Sequence, residues 1–414
     1  MADLTIKPQA GSGNKLIIQD QAGNARVTTG DAGIDIPAVT GNFAAAGNVT
    51  STGNLTVAGD IIPSSPLSHR NMIINGGMQV WQRATSSTAW AKGTFPYLTA
   101  DRWLFAGHTS LDQYACTLSQ GTVDGDALLE GHKYSFKVQT TTPETAAEAG
   151  EELHLRQIIE AQNLQHLAYG TASAKTTTLS FWVKSSVTGT FAFSIYQADG
   201  VRDIGATYTI NSANTFEKKT ITIAGDTGGT INNDNGQGLY LRWCLLAGAD
   251  MKGTANSTWA AGADARFATG HTNTSFHTTD NATWEITGVQ FEVGSNATPF
   301  EHRSYGDELL RCKRYYQRKQ GGISNGHSNG SGVVYGIISY EEMRAAPTIT
   351  SSGTLYWNDA SAQVPTTYNV AYWISTIGCS VGYTGTATAN RSMTVYSAVS
   401  VSYTHLTLPT NREV

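Results

Sequence analysis

The chain has 414 residues, with 27 Lys and Arg against 32 Asp and Glu, so its net charge is −5. Charged residues make up 14% of it, against about 25% in an ordinary soluble domain. With no basic excess to neutralise phosphates, no polybasic segment and no apolar run of about 18 residues, neither nucleic acid nor membrane insertion is expected.

Forty-three glycines among abundant Thr, Ser and Asn suit short strands joined by tight turns, so the expected fold is all-β in several domains. Residues 1–40 hold two short runs, Lys15 to Gln19 and Ala25 to Thr28, on either side of an Ala22-Gly23-Asn24 turn. They predict a small attachment hairpin. Residues 41–66 repeat with a period of six as GNFAAA, GNVTST, GNLTVA and GDIIPS. Each unit turns a corner at its glycine and sends one apolar side chain inward: Phe43, Val49, Leu55 and Ile61. So few units cannot bury a core within one chain, but three chains wound together can, which predicts a homotrimeric shaft. A flexible linker is the alternative.

From 67 to 303 period-two alternation recurs: Phe191, Phe193, Ile195; Ile221, Ile223; Leu239, Leu241, Trp243, Leu245. At Thr287-Gly288 the phase slips, which predicts a bulge. Many short alternating strands with polar turns predict a jelly-roll β-sandwich. Residues 304–332 follow as one helix, opened by Ser304 and Asp307 as a capping box, and a Gly/Ser/Asn linker. Residues 333–400 read as a small C-terminal β module, a candidate tip. Residues 401–414, beginning VSYTHLTLPT, resemble a translated sequencing-library adapter and are set apart from the fold.

Signals for chemistry are sparse. Cys116, Cys244, Cys312 and Cys379 are scattered and read as reduced, buried thiols, and His154, His166, His271 and His277 read as structural. No GxSxG, Walker, HExxH or paired-cysteine pattern occurs, so no catalytic residue, cofactor or metal is expected. Asp101, Glu285 and Glu292 are the carboxylates a glycosidase could use. Sugars offer apolar ring faces to aromatic side chains. Trp90, Tyr97 and Trp259 in turn-rich stretches, and Tyr335, Trp357, Tyr372 and Trp373 near the C-terminus, are the candidate glycan contacts. Trp103 is assigned to the core. Met1 to Lys7 lacks the features of a signal peptide, so folding in a cytoplasm is expected.

NMIINGGMQVWQR (71–83), ADRW (100–103), VQFEVGSNATPFEHRSYGDELLRCKRYYQ (289–317) and MRAAPTIT (343–350) resemble a family of phage tail-fibre, receptor-binding proteins. In that family the segment is a jelly roll similar to carbohydrate-binding modules. The resemblance implies a non-enzymatic virion tail component, assembled in the host cytoplasm. It would attach to other tail or baseplate proteins through its N-terminus and adhere to a bacterial surface glycan. A purely structural fibre or baseplate component, and a glycan-degrading tailspike, are the alternatives.

Overall fold

The computed structural model describes residues 17–19, 25–30, 33–35, 68–111, 113–145, 147–319, 322–328, 333–359, 362–384 and 392–402. The hexad residues Phe43, Val49, Leu55 and Ile61 lie outside them. The chain divides into two units, Met1–Ile62 and Pro63–Val414. In the first, β1 (Ile17–Gln19), β2 (Ala25–Gly30) and β3 (Gly33–Asp35) form an antiparallel sheet. The β1–β2 pairing is the expected hairpin, and β3 extends it.

The second unit is mostly antiparallel β-structure. Its strands, in order, begin with β4 (Ser86–Ser87), β5 (Leu104–Gly107), β6 (Ala115–Thr122), β7 (Tyr134–Thr142), β8 (Glu152–Glu160) and β9 (Thr177–Ser185). They continue with β10 (Gly189–Gln197), β11 (Arg202–Ile210), β12 (Glu217–Ile223), β13 (Gln237–Ala247), β14 (Ala260–Ala261) and β15 (Thr283–Val293). Two six-stranded sheets result: β12-β9-β15-β7-β6-β4 and β14-β11-β10-β13-β8-β5. Alternation directs one face of each inward. Phe136, Val138, Leu179, Phe181 and Trp284 of the first sheet meet Phe105, Leu155, Phe193, Leu241 and Trp243 of the second in one core. At roughly 1.5–3 kcal/mol for each large side chain removed from water, this core dominates stability. Trp103 joins it, with its ring 5.5 Å from that of Trp243. The fold is the β-sandwich expected. The register of β15 slips between Thr287 and Gln290, with Gly288 at φ +58°, as the phase change at Thr287-Gly288 predicts.

Short helices α1 (Gly125–Leu129) and α2 (Ser275–Thr278) sit in connections, and α3 (Tyr305–Lys313) follows the sandwich. The side chain of Ser304 accepts a hydrogen bond from Asp307 N, so the capping motif is formed. Strands β16 (Tyr316–Lys319), β17 (Gly322–Ser328), β18 (Val333–Ser339), β19 (Thr348–Asp359), β20 (Ala362–Tyr372), β21 (Gly378–Thr384) and β22 (Ser392–Ser402) follow among the described residues. They run β16-β22-β17-β18-β21-β20-β19, and β22 also pairs with β19, so the sheet closes on itself. Two expectations change here. The stretch 304–332, read as helix and linker, also contains β16 and β17, which pair with β22: Ser392–Tyr396 on β17 and Val399–Ser402 on β16. And β22 runs two residues into the segment set apart, with Val401 opposite Ile349 and Ser402 opposite Thr348.

Three of the segments that carry the family resemblance, 71–83, 100–103 and 289–317, converge on one knot of buried hydrogen bonds. Residues 71–76 run beside β15 where its bulge leaves an edge: Met72 N donates to Phe291 O (2.9 Å) and Val289 N to Gly76 O (3.0 Å). The approach is so close that a Cβ at Gly76 would lie 2.1 Å from Val289 O. Asn75, at φ +59°, accepts from Gln79 N and Val80 N and donates to Val80 O and Asp101 O, each at 2.9 Å. Its backbone N donates to Glu308 of α3 (2.6 Å), and its carbonyl accepts from the Trp103 indole (3.0 Å). Asp101 pairs with Arg83 at 2.8 Å, and the Arg83 guanidinium lies 3.7 Å from the centre of the Tyr316 ring. These motifs therefore fasten the sandwich to α3 and β16.

Candidate functional site

The alternation that fills the core also fixes what the second sheet shows on its other face. With Phe191, Phe193 and Ile195 inward on β10, the residues Ala192, Ser194 and Tyr196 face outward. With Leu239, Leu241 and Trp243 inward on β13, Tyr240, Arg242 and Cys244 face outward. On β8 the outward residues are Glu152, His154, Arg156 and Ile158. Register then assembles two rungs. Arg156, Arg242 and Ser194 are cross-strand partners in one; Ile158, Tyr240, Tyr196 and Asp203 are in the next.

The result is a row of rings and guanidiniums, half-buried except for Phe267, which is buried. The Arg156 guanidinium carbon lies 5.3 Å from the ring centre of Phe95 and 5.0 Å from that of Tyr240. Tyr240 and Tyr196 have centroids 5.4 Å apart at 43°. The Arg242 carbon lies 5.5 Å from the Tyr196 centre and 4.7 Å from that of Phe267, and its Nε donates to Ser194 Oγ at 3.1 Å. Phe95 and Phe267 act as side walls. Phe95 packs with Tyr97, Leu104 and Ala106 over edge strand β5, and Phe267 with Ala192, Cys244 and Met251. A cleft of about 170 Å³ opens here, lined by Glu152, Tyr196, Asp203, Arg242, Asp264 and Phe267 among others.

Burial sets the electrostatics. It pulls both guanidiniums down from their ordinary value, against the raising influence of nearby Tyr and Glu152, and they remain cations. It pushes the Glu152 carboxyl up, although Arg242 and Arg156 favour its charge, and it pushes the Tyr240 hydroxyl to about 12. Asp203 is engaged by Arg266 at 2.5 Å. Rings with an open face beside fixed donors can stack on a sugar and bind its hydroxyls.

The residues singled out from sequence fall elsewhere. Trp90 is 8% exposed, edge-on to Phe105 and Tyr114 in the core, and Tyr97 is 9% exposed, so neither offers a free ring face. Turn-rich sequence misled there, because those loops fold back over β5. Tyr97 does border the row, since its hydroxyl influences Arg156. Trp259 is half-buried against Tyr169, its indole donating to Ala224 O at 2.6 Å. Trp373, at φ +46°, is 88% exposed beside Ile374 and Ile377 in the turn after β20. Tyr335, Trp357 and Tyr372 lie on β18, β19 and β20, but their side chains are outside the described residues.

Each of the three carboxylates is engaged by a partner within the fold. Asp101 is held in the knot, Glu285 accepts from Ser135 (2.6 Å), and Glu292 accepts from Thr298 N (2.9 Å) and Oγ (2.7 Å). Cys116, Cys244, Cys312 and Cys379 are buried thiols, and no metal-binding cluster of His, Cys, Asp and Glu occurs among the described residues. Sequence reasoning missed Arg156, Tyr196, Tyr240 and Arg242. Their signal was present in the out-of-phase positions of the alternating strands.

No protein-family model matches the chain, and no curated protein matches it in sequence. Among solved structures, the enzymatically active domain of bacteriophage CBA120 tailspike protein 4 is similar at 13% identity and a TM-score of 0.29, over 54% of this chain and 21% of that one. A CBM4 structure is similar at 15% identity and a TM-score of 0.27, over 53% of this chain and 98% of that one. A family 11 carbohydrate-binding module of a Clostridium thermocellum cellulosomal cellulase is similar at 13% identity and a TM-score of 0.24, over 52% and 100%.

Proposed function

We propose that this chain is a trimeric phage tail-fibre protein that adheres to a bacterial surface glycan without cleaving it. The outer face of the second sheet makes the contact, and the N-terminal part attaches to the tail. The observation that carries the adhesion is the half-open row of Tyr196 and Tyr240, flanked by Arg156 and Arg242. The tail-fibre part rests on the sequence resemblance of 71–83, 100–103 and 289–317. One site would bind weakly. Three copies would raise avidity by about 10² or more where the target repeats at a matching spacing.

The test is an array of bacterial surface polysaccharides probed with the full chain and with a Tyr196→Ala/Tyr240→Ala variant. Both rings sit on the solvent face, so the variant should fold, as circular dichroism would verify. Two aromatic contacts at about 1–1.5 kcal/mol each predict a roughly 30- to 150-fold loss of affinity. Binding within threefold of the parent would remove this face from the proposal. Reducing ends released from a bound polysaccharide would replace adhesion with hydrolysis. Absence of any binding by the parent would favour a purely structural fibre.

A further inference from the structure

Arg156 and Arg242 are direct cross-strand partners, so two cations sit on one rung of the outer face. Like charges placed opposite one another oppose folding. Four other guanidiniums of this unit are matched by carboxylates, whereas buried Arg102 stacks on Tyr315 and donates to the Ile158 carbonyl. Arg83 pairs with Asp101 at 2.8 Å, Arg202 with Asp226 at 2.9 Å, Arg266 with Asp203 at 2.5 Å and Arg314 with Glu160 at 2.9 Å. Among the described residues, neither Arg156 nor Arg242 has such an ion pair. Arg242 Nε donates only to the neutral Ser194 hydroxyl, and the buried Arg156 Nε has no hydrogen-bond partner.

The carboxylates nearby do not fill the gap. Asp203 is held by Arg266 at 2.5 Å; Glu152 reaches ion-pair distance only with His154, at 3.6 Å, and attracts the two guanidiniums from further away while burial opposes its charge. Each guanidinium is flanked by two aromatic side chains, Phe95 and Tyr240 for Arg156, Tyr196 and Phe267 for Arg242. Stacking of this kind stabilises a cation without using its in-plane N–H groups, which stay available to an anion.

Resting on the glycan reading above, we infer that the ligand of this face is an acidic glycan, with an anionic sugar substituent bound by the paired guanidiniums of Arg156 and Arg242. The planar fork of a guanidinium matches a carboxylate or a phosphate oxygen pair, and an anion between the two cations removes their mutual repulsion. Neutral glucans would leave that repulsion in place.

The experiment uses the full chain on bacterial polysaccharides of three kinds: uronic-acid-containing, phosphate-substituted and neutral. Each uronic-acid polysaccharide is also presented after carboxyl reduction, and affinities are measured at low and high salt. Retention confined to acidic polysaccharides is expected. A loss of tenfold or more on carboxyl reduction identifies the anion as carboxylate, whereas retention confined to the phosphate-substituted set identifies phosphate. Arg242→Gln should weaken binding tenfold or more and flatten its salt dependence, while Arg242→Lys, which keeps the charge but loses the fork, should recover part of it. Should Arg242→Gln fail to fold, Arg156→Gln gives the same reading. Neutral polysaccharides bound through Tyr196 and Tyr240, with no effect of either Arg substitution, would overturn the acidic ligand and leave glycan adhesion standing. Failure to retain any polysaccharide would overturn both.

Discussion

Asn75→Ala tests whether the knot holds the sandwich together. The side chain accepts from Gln79 N and Val80 N and donates to Val80 O and Asp101 O, all at 2.9 Å and with no solvent exposure of Asn75. Alanine leaves those backbone groups without these partners. An orphaned buried group costs about 1–3 kcal/mol. Val80 O keeps its bond from Asp101 N at 3.0 Å and water reaches the partly exposed Gln79, so two groups are orphaned and the loss comes to about 2–6 kcal/mol. Alanine must also hold φ at +59°, which adds about 1 kcal/mol. A total of about 3–7 kcal/mol is a large part of the roughly 5–15 kcal/mol that stabilises a typical domain. Chemical denaturation of the full chain, followed by tryptophan fluorescence, measures it. Asn75→Gly removes the same hydrogen bonds without the strain and should be about 1 kcal/mol milder than alanine. A loss below about 1 kcal/mol for Asn75→Ala would refute the view that the resemblance motif is a structural knot.

Two further perturbations read other parts of the fold. Glu160 accepts from Arg314 at 2.9 and 3.0 Å and from the Tyr315 hydroxyl; burial opposes its charge, but these hydrogen bonds outweigh it and lower its pKa. Glu160→Gln should cost about 2–3 kcal/mol in the same denaturation assay, and an unchanged midpoint would show that the contact is incidental. His132, buried against Phe300 and His302, is held neutral by burial, with a pKa of about 4. Because that value lies below the unfolded one of about 6.5, its stabilising contribution is complete above pH 6.5 and is lost as pH falls towards 4, by up to about 3 kcal/mol. His271 and His277, at about 3 and about 4, act in the same direction. Asp101, raised to about 6 by burial against the pull of Arg83, acts in the opposite direction. The measurement is therefore the difference in Tm between parent and His132→Gln from pH 7.5 to 4.5. A constant difference would refute the assignment.

Much of this fold is legible in the sequence because a strand repeats every two residues and a core excludes water. Those two facts alone place Phe191, Phe193, Ile195, Leu239, Leu241 and Trp243 inside and locate the bulge at Thr287-Gly288. The same periodicity carries the candidate site, since Tyr196, Tyr240 and Arg242 are the residues left over on the opposite face. Sequence cannot supply register, however. Only the pairing of β8, β10 and β13 brings Arg156 opposite Arg242 and Tyr196 opposite Tyr240, from strands far apart in the chain. Burial of irregular segments was equally illegible. Trp90 and Tyr97 stand in turn-rich stretches that suggested exposure, yet long-range packing covers both. Local pattern determines which face a side chain takes on a strand; tertiary pairing decides its neighbours, because those contacts are set by the fold and not by distance along the chain.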